Sequence, residues 1–155
     1  MIDSKDFTEL KPTMPFLFII PFLIGTIAEN FIPTTLIQTN ISYVIGILII
    51  LSSIPFIIFA LMELYKADVL LNARKASTTL ITTSIYKISR NPVYLSLLLF
   101  YIGLSFIVNS IWMLVMVVPA FYFINKFSIE REEKLLEAKY GEEYRIYEAK
   151  VHRWL

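Results

Sequence analysis

The sequence contains no cysteine and only one histidine, His152. Without cysteine the chain cannot form disulfides, use a thiolate nucleophile or hold zinc or an iron–sulfur cluster through sulfur ligands. A single imidazole equally disfavours a histidine metal site, so no metal is expected. Fourteen lysines and arginines against thirteen acidic residues give a net charge of +1. This lack of a basic excess argues against nucleic acid as a partner.

Short motifs of soluble enzymes are also missing. The chain has no G-x-G-x-x-G or Walker A loop for nucleotide phosphates, no G-x-S-x-G nucleophile turn and no H-E-x-x-H zinc motif. Apolar residues, in contrast, are abundant: 57% of the chain is hydrophobic and the mean hydropathy is +0.66. This composition lies outside the range of ordinary soluble domains and indicates a membrane protein.

Charged residues are almost absent from two long stretches. Between residues 12 and 62 the only acid or base is Glu29, and between residues 91 and 125 there is none. One membrane-spanning helix needs about 20 apolar residues, and polar breaks near residues 33–40 and 109–110 divide each stretch in two. The sequence therefore predicts an all-α, polytopic membrane protein with four transmembrane helices, at about 14–32, 41–65, 92–108 and 111–127.

The positive charges indicate how these spans are oriented. With four spans, all 14 lysines and arginines fall on one side: in the N-terminal tail, in the segment 66–91, and at or after the end of the fourth span. The positive-inside rule makes that side cytoplasmic. The N-terminal tail lacks the pattern of a cleavable signal peptide. We therefore expect residues 1–155 to form one multi-pass domain in the lipid bilayer, with both termini in the cytoplasm.

Near the C-terminus, in the cytoplasmic segment 128–155, residues at spacings of three and four predict an amphipathic helix. Its inward stripe is Ile129, Glu132, Leu136, Tyr140, Tyr144, Tyr147 and Val151. Glu132 is a carboxylate on the face that should meet the membrane bundle, which is costly unless it is paired or binds a ligand. A salt bridge to Arg90 or Arg153 and ligand binding are equally good interpretations. Gly141 marks either a bend or a close backbone contact.

The third span begins at an Asn-Pro step. Asn91 is a favourable N-cap and Pro92 a favourable first helical residue, with Arg90 before them and Tyr94 after them. These residues suffice to cap a helix and anchor it at the headgroups, but a helix start beside an arginine also suits a carboxylate or phosphate. Glu29, near the end of the first span, is expected to be an interfacial carboxylate that reaches for headgroups.

Two classes of function fit a small bundle with one polar, cytoplasmic mouth. One is a membrane enzyme that acts on a lipidic substrate, and the other is a small transporter or assembly subunit. A transporter is expected to carry ionisable residues near the middle of its spans. The second, third and fourth spans have none there, and this favours the enzyme.

Two segments of the chain resemble a known family. The first is Thr82-Thr83-Ser84-Ile85-Tyr86 followed by Arg90-Asn91-Pro92-x-Tyr94, and the second is Glu132-Glu133-x-x-Leu136-x-x-x-Tyr140-Gly141-x-x-Tyr144-x-x-Tyr147-x-x-x-Val151. In this order they resemble the isoprenylcysteine carboxyl methyltransferase family and its relatives among phospholipid methyltransferases. The resemblance covers residues 80–155, about half of the chain.

The resemblance implies an integral membrane methyltransferase that uses S-adenosylmethionine on the cytoplasmic side. The residues that match the family's cofactor-binding motifs are Tyr86, Arg90, Asn91, Pro92, Tyr94, Glu132 and Glu133. The residues that match the tail beside the substrate entrance are Tyr144, Tyr147 and Arg153. Since a carboxylate acceptor needs mainly an orienting cation, Arg90 and Arg153 are the expected catalytic residues.

The resemblance favours a lipidic acceptor, namely the carboxylate of an isoprenylcysteine-like molecule or prenylated protein. Methylation of a phospholipid amine is the alternative, since an amine needs a base and Glu132 and Glu133 are available. In a second, non-enzymatic alternative, Arg90, Glu132 and Arg153 form only an ion network that clamps the tail to the bundle.

Two positions depart from the family pattern. Ser84 stands where glycine is common, and Asn91 stands where histidine is common. A serine is strained if the loop needs a positive φ at that point. A mechanism that requires an imidazole at residue 91 cannot operate in this chain.

Overall fold

The computed structural model describes residues 13–67 and 80–155. In the first of these ranges, side chains are described from Phe16 onward. Within these ranges the chain forms helices and turns and no strand, which confirms the all-α prediction. The segments with Lys5 and Lys11, and with Arg74 and Lys75, lie outside the described residues. The helices are α1 (Thr13–Phe31), α2 (Thr39–Lys66), α3 (Pro92–Val108), α4 (Ile111–Val115), α5 (Val117–Ile124), α6 (Glu130–Tyr140) and α7 (Glu142–Lys150), with a 3-10 turn at Ser84–Lys87 and a π-helical turn at Asn125–Ile129.

Apolar helices lie where the sequence places the four spans. Helix α2 and the helix that runs from Ile111 to Tyr140 through α4, α5 and α6 are long and apolar enough to cross a bilayer. The other two apolar helices, Phe16–Phe31 and Pro92–Val108, are shorter. The 17 residues of α3 extend about 25 Å, slightly less than a hydrocarbon core of about 30 Å. Length and composition therefore identify two candidate spans in the described structure.

Helix α2 packs along α3 through small residues. A methyl group added at Gly46 would lie 2.7 Å from the carbonyl oxygen of Gly103. Nearby, the Ser42 hydroxyl donates a hydrogen bond of 2.6 Å to the carbonyl oxygen of Phe106. Small residues allow apolar helices to approach to backbone contact, and such close packing together with interhelical hydrogen bonds favours helix association in lipid.

Gly46→Val is expected to separate α2 from α3 and destabilise the fold by about 2–3 kcal/mol, because the added side chain meets backbone atoms that cannot change rotamer. The melting temperature of the protein in detergent measures this effect. Ser52→Val, on the exposed face of the same helix, is the control and should melt close to the wild type. Equal melting of Gly46→Val and the wild type would contradict the close packing.

Glu29 joins two loops at the end of the bundle opposite to Arg90. Its carboxylate accepts hydrogen bonds from the backbone nitrogen and hydroxyl of Thr34, at 2.6 and 2.8 Å, and from the hydroxyl of Ser110. The expectation that Glu29 reaches for lipid headgroups is therefore wrong. The turn between α3 and α4 brings Ser110 to the end of α1, so the carboxylate finds its donors within the protein.

The C-terminal segment, for which the sequence predicts one amphipathic helix, consists of two helices. Helix α6 ends at Tyr140, and Gly141, with φ +52°, separates it from α7. No described atom lies within 4 Å of the place where a Gly141 Cβ would be, so this glycine makes a bend and not a close contact. Leu135 is buried and Leu136 only partly so, because the π-helical turn before α6 and the bend after it shift the phase of the predicted stripe.

Candidate functional site

The polar residues of the candidate site meet where α3 begins. Asn91 precedes the helix and Pro92, which is fully buried, is its first residue. The Asn91 side chain does not cap α3, contrary to the expectation from its position. Its Nδ2 donates instead to the carbonyl oxygen of Arg153 at 3.2 Å, and Ser89 Oγ donates to the same oxygen at 3.3 Å. The Asn91 amide therefore binds the C-terminal tail, which lies across the start of α3.

Arg90 lies at the centre of the cluster, and only 10% of its side chain is exposed. Its Nη1 donates to the Tyr144 hydroxyl at 2.9 Å and to Glu148 Oε1 at 2.8 Å, and it lies 3.2 Å from Glu133 Oε1. Burial lowers the pKa of Arg90, but Tyr144, Glu133 and Glu148 together raise it above its ordinary value, so the guanidinium stays charged. Its Nε is buried and has no hydrogen-bond partner among the described residues.

Glu133 links the two arginines. Its carboxylate accepts hydrogen bonds from Arg153 Nε at 3.0 Å and Arg153 Nη2 at 2.6 Å, which is a bidentate pair. Arg153 Nη1 also lies 3.5 Å from Asn125 Oδ1. The salt bridge considered for Glu132 is therefore made by Glu133. Successive side chains on a helix point about 100° apart, and Glu133 is the one that faces the arginines.

Glu132 lies beyond the apolar part of its helix, which ends near Phe127. Its Oε1 accepts a hydrogen bond of 2.6 Å from the Tyr94 hydroxyl. Burial raises the pKa of Glu132 to about 7, an effect that the Tyr94 hydrogen bond opposes and the charge of Glu133 reinforces. Near neutral pH this carboxyl is therefore divided between its protonated and ionised forms and can exchange a proton with a ligand.

Three tyrosines complete the cluster. The Tyr147 hydroxyl donates to the carbonyl oxygen of Tyr86 at 2.7 Å, and the rings of Tyr144 and Tyr147 meet edge to face with centroids 6.4 Å apart. Burial raises the pKa of Tyr144 to about 12 and also raises the pKa of Tyr147. Burial, Tyr147, Glu132 and Glu63 raise the pKa of Tyr86. All three phenols therefore remain protonated hydrogen-bond donors.

The structure brings the predicted site residues together in one polar cluster. Its members are Tyr86, Arg90, Asn91, Pro92, Tyr94, Glu132, Glu133, Tyr144, Tyr147 and Arg153. Asn91 and Pro92 shape the cluster, because one binds the tail and the other starts α3. The remaining members contribute charged, hydroxyl or aromatic groups, and Tyr94, Tyr144 and Tyr147 among them are buried.

Three further residues of the cluster were not predicted from the sequence. Glu148 binds Arg90, Asn125 contacts Arg153, and Glu63 of α2 accepts a hydrogen bond of 2.7 Å from the Thr83 hydroxyl. Two of them carry a signal in the sequence. Glu148 follows Tyr144 by four positions and so shares its helix face, and Glu63 is the first charged residue after Glu29.

An apolar groove of about 320 Å³ lies between α3 and α5 beside this cluster. Its lining consists of Leu95, Leu98, Leu99, Ile102, Val117, Val118, Phe121 and Trp154. The Trp154 ring packs on Phe121 with centroids 5.0 Å apart. Since Trp154 directly follows Arg153, the groove begins next to the polar cluster and continues between two apolar helices.

Comparison with known proteins identifies the family. Residues 41–143 match the family described as phospholipid methyltransferase. The chain is also 43% identical over 63 residues to an uncharacterized protein of Haemophilus influenzae, across 41% of this chain and 100% of that protein. No solved structure gives a significant match. The family match covers most of the chain, including α2, α3 and the two adjacent glutamates of α6, so the chain belongs to the phospholipid methyltransferase family, within the group of membrane methyltransferases that it shares with the isoprenylcysteine carboxyl methyltransferases.

Proposed function

We propose that the protein is an S-adenosylmethionine-dependent methyltransferase that modifies the amine headgroup of a membrane lipid. The observation that carries the proposal is the different environment of two adjacent glutamates. Glu133 is engaged by two arginines, whereas Glu132 is bound by a phenol and has a pKa of about 7. The family membership supports the reaction class, and the environment of Glu132 supports the amine.

The proposed enzyme is one domain, residues 1–155, with four membrane spans at about 14–32, 41–65, 92–108 and 111–127 and both termini in the cytoplasm. The apolar helices at these places support the spans. Lys66 ends α2 and Arg90 precedes α3, so the candidate site lies at the positively charged end of these helices. The positive-inside rule assigns that end to the cytoplasm, where S-adenosylmethionine is available.

The cluster offers groups that fit S-adenosylmethionine. The buried Nε of Arg90, which has no partner among the described residues, suits the carboxylate of the cofactor. Glu133 would hold Arg90 in place for that contact. The aromatic faces of Tyr86 and Tyr94 would favour a cationic group. When bound, the cofactor supplies a methyl group that is carried on a positively charged sulfur. After the methyl group has been transferred, that sulfur belongs to a neutral thioether.

Glu132 is suited to act as the general base for a lipid amine. An ammonium group must lose a proton before its nitrogen can attack, and a carboxyl with a pKa of about 7 accepts that proton well at neutral pH. Tyr94 holds the carboxyl in place. Glu133 and Glu148 already balance the charges of Arg90 and Arg153, so the cluster has no excess positive charge to attract an anionic acceptor.

The hydrocarbon part of the acceptor fits the apolar groove between α3 and α5. The side chains that line this groove are hydrocarbon or aromatic, which suits a lipid chain and not a polar molecule. The groove begins at Trp154, directly after Arg153. A chain that lies in the groove would therefore bring its headgroup to the cluster, which supports a lipidic acceptor that enters from the bilayer.

The carboxylate of an isoprenylcysteine-like molecule is a second candidate acceptor. The side chain of Arg153 is 34% exposed beside the start of the groove, and a guanidinium there suits a carboxylate. In that reaction Arg90 and Arg153 would orient the carboxylate, with Tyr144 and Tyr147 beside them, and no base would be needed.

Transfer of a radiolabelled methyl group distinguishes the two acceptors. The purified protein in nanodiscs is given labelled S-adenosylmethionine with either phosphatidylethanolamine or an S-prenylated N-acetylcysteine. We expect label that is stable to alkali in the amine lipid. Alkali-labile label in the prenylated compound would show that the acceptor is the carboxylate and not the amine. No label in either, from a protein that binds no S-adenosylmethionine, would favour a non-enzymatic ion network.

A further inference from the structure

Glu63 is a partly exposed carboxylate at the end of α2. Only 12% of its side chain is exposed, although Lys66 beside it is 64% exposed. One carboxylate oxygen accepts a hydrogen bond of 2.8 Å from Lys66 Nζ, and the other accepts one of 2.7 Å from the hydroxyl of Thr83. The second bond joins α2 to a segment twenty positions farther along the chain, so Glu63 is a cross-link between two parts of the fold.

Thr83 leads into a strained turn. Ser84 has φ +53°, a left-handed conformation in which the Cβ of a residue other than glycine is crowded. The turn is closed by a hydrogen bond of 3.0 Å from the Tyr86 nitrogen to the Thr83 carbonyl oxygen. Strain of this kind persists only where neighbouring contacts hold the backbone. The Glu63–Thr83 bond supplies such a contact at the residue just before Ser84.

This turn places Tyr86 in the polar cluster. The carbonyl oxygen of Tyr86 accepts the 2.7 Å hydrogen bond from Tyr147, and its phenol lies within electrostatic reach of Glu132 and Glu63. The position of Tyr86 therefore depends on α7 on one side, through Tyr147, and on α2 on the other, through Glu63 and Thr83.

We propose that Glu63 is a positioning residue, which fixes the strained Ser84 turn through Thr83 and thereby places the Tyr86 ring for the cofactor. The proposal rests on the proposed function, because the cofactor is the ligand that Tyr86 would contact. Glu63 itself need not touch the cofactor. Its carboxylate acts as a hydrogen-bond acceptor for Thr83, and its charge is secondary.

The first measurement needs no ligand. Hydrogen–deuterium exchange of the segment 80–90 is compared in the full-length wild type, Glu63→Ala, Thr83→Val and Lys66→Met proteins. We expect severalfold faster exchange in Glu63→Ala and Thr83→Val. Lys66→Met removes the exposed ion pair and leaves the Glu63–Thr83 bond, so it should exchange like the wild type. Unchanged exchange in both Glu63→Ala and Thr83→Val would overturn the proposal.

The second measurement is the affinity for S-adenosylmethionine in nanodiscs. Glu63→Ala should bind about tenfold more weakly, the upper end of the range for losing one hydrogen bond. Glu63→Gln, which still accepts from Thr83, should stay within about threefold of the wild type. Ser84→Gly relieves the strain, because glycine adopts a positive φ freely, so Glu63→Ala/Ser84→Gly should recover most of the affinity.

The result that would overturn the positioning role is full cofactor affinity in Glu63→Ala despite fast exchange. An affinity loss in Glu63→Gln as large as in Glu63→Ala, with no recovery in the Ser84→Gly double variant, would also overturn it and assign the effect to charge. If the wild type binds no S-adenosylmethionine, the proposed function fails, and the exchange measurement alone decides whether the cross-link exists. Thr83→Val tests the same bond if Glu63→Ala does not fold.

Discussion

Glu132→Gln is expected to lower methyl transfer to a lipid amine by about 10²- to 10⁴-fold, the usual contribution of a general base. The amide has the size of the carboxyl and still accepts the hydrogen bond from Tyr94, but it cannot take a proton from an ammonium group. The protein should fold normally. The effect is measured as the initial rate at saturating S-adenosylmethionine, because a change in cofactor affinity does not alter that rate.

The pH dependence tests the same role of Glu132. The reaction needs the ionised carboxylate, and its pKa is about 7, so the wild-type rate should rise as the pH increases through about 7 and level off above it. Glu132→Gln should lack this dependence. Glu137→Gln, which changes a partly exposed glutamate on the same helix, should keep both the rate and the profile. A full rate in Glu132→Gln would contradict the general-base role.

Glu133→Gln is expected to destabilise the protein by about 3 kcal/mol. It removes the charged partner of Arg153 and leaves Arg90 and Arg153 facing each other with like charges. Breaking a buried ion pair costs about 3–5 kcal/mol, and the partial exposure of Arg153, 34%, places this pair at the low end. The C-terminal tail should also loosen, since Glu133 holds its arginine. Thermal unfolding in detergent and hydrogen exchange of residues 151–155 measure the two effects.

Glu143→Gln is the matched control for this second prediction. Glu143 is exposed and lies in the same C-terminal segment, so its substitution should change the melting temperature little. If Glu133→Gln melts at the temperature of the wild type and its C-terminal tail exchanges no faster, the ion pairs of Glu133 do not hold the tail against the helices.

The positions of the helices could be predicted from the sequence because charge is so costly in lipid. The stretches with almost no acid or base gave the apolar helices, and the polar turn at Asn109 and Ser110 gave the break between two of them. The cluster could be predicted because its residues lie in two short segments. Arg90 and Tyr94 flank the start of one helix, and Glu132 and Glu133 lie on another.

The pairing of these residues could not be predicted, because it depends on helix phase and on contacts between distant parts of the chain. A rotation of about 100° decides that Glu133, and not Glu132, meets Arg153. The Asn91 amide binds a carbonyl of the tail, which no local pattern indicates. Ser84 is the informative exception, since the family's preference for glycine pointed to a positive φ, and the serine adopts one.

Calorimetric binding of S-adenosylmethionine to the purified protein in nanodiscs tests the central claim that the polar cluster around Arg90 is a cofactor site. We expect micromolar binding by the wild type. Arg90→Lys keeps the charge but removes the Nε donor and the planar fork, and it should bind at least about tenfold more weakly, with circular dichroism showing that it is folded. A folded wild type that binds no S-adenosylmethionine, in nanodiscs and in several detergents, would contradict the claim.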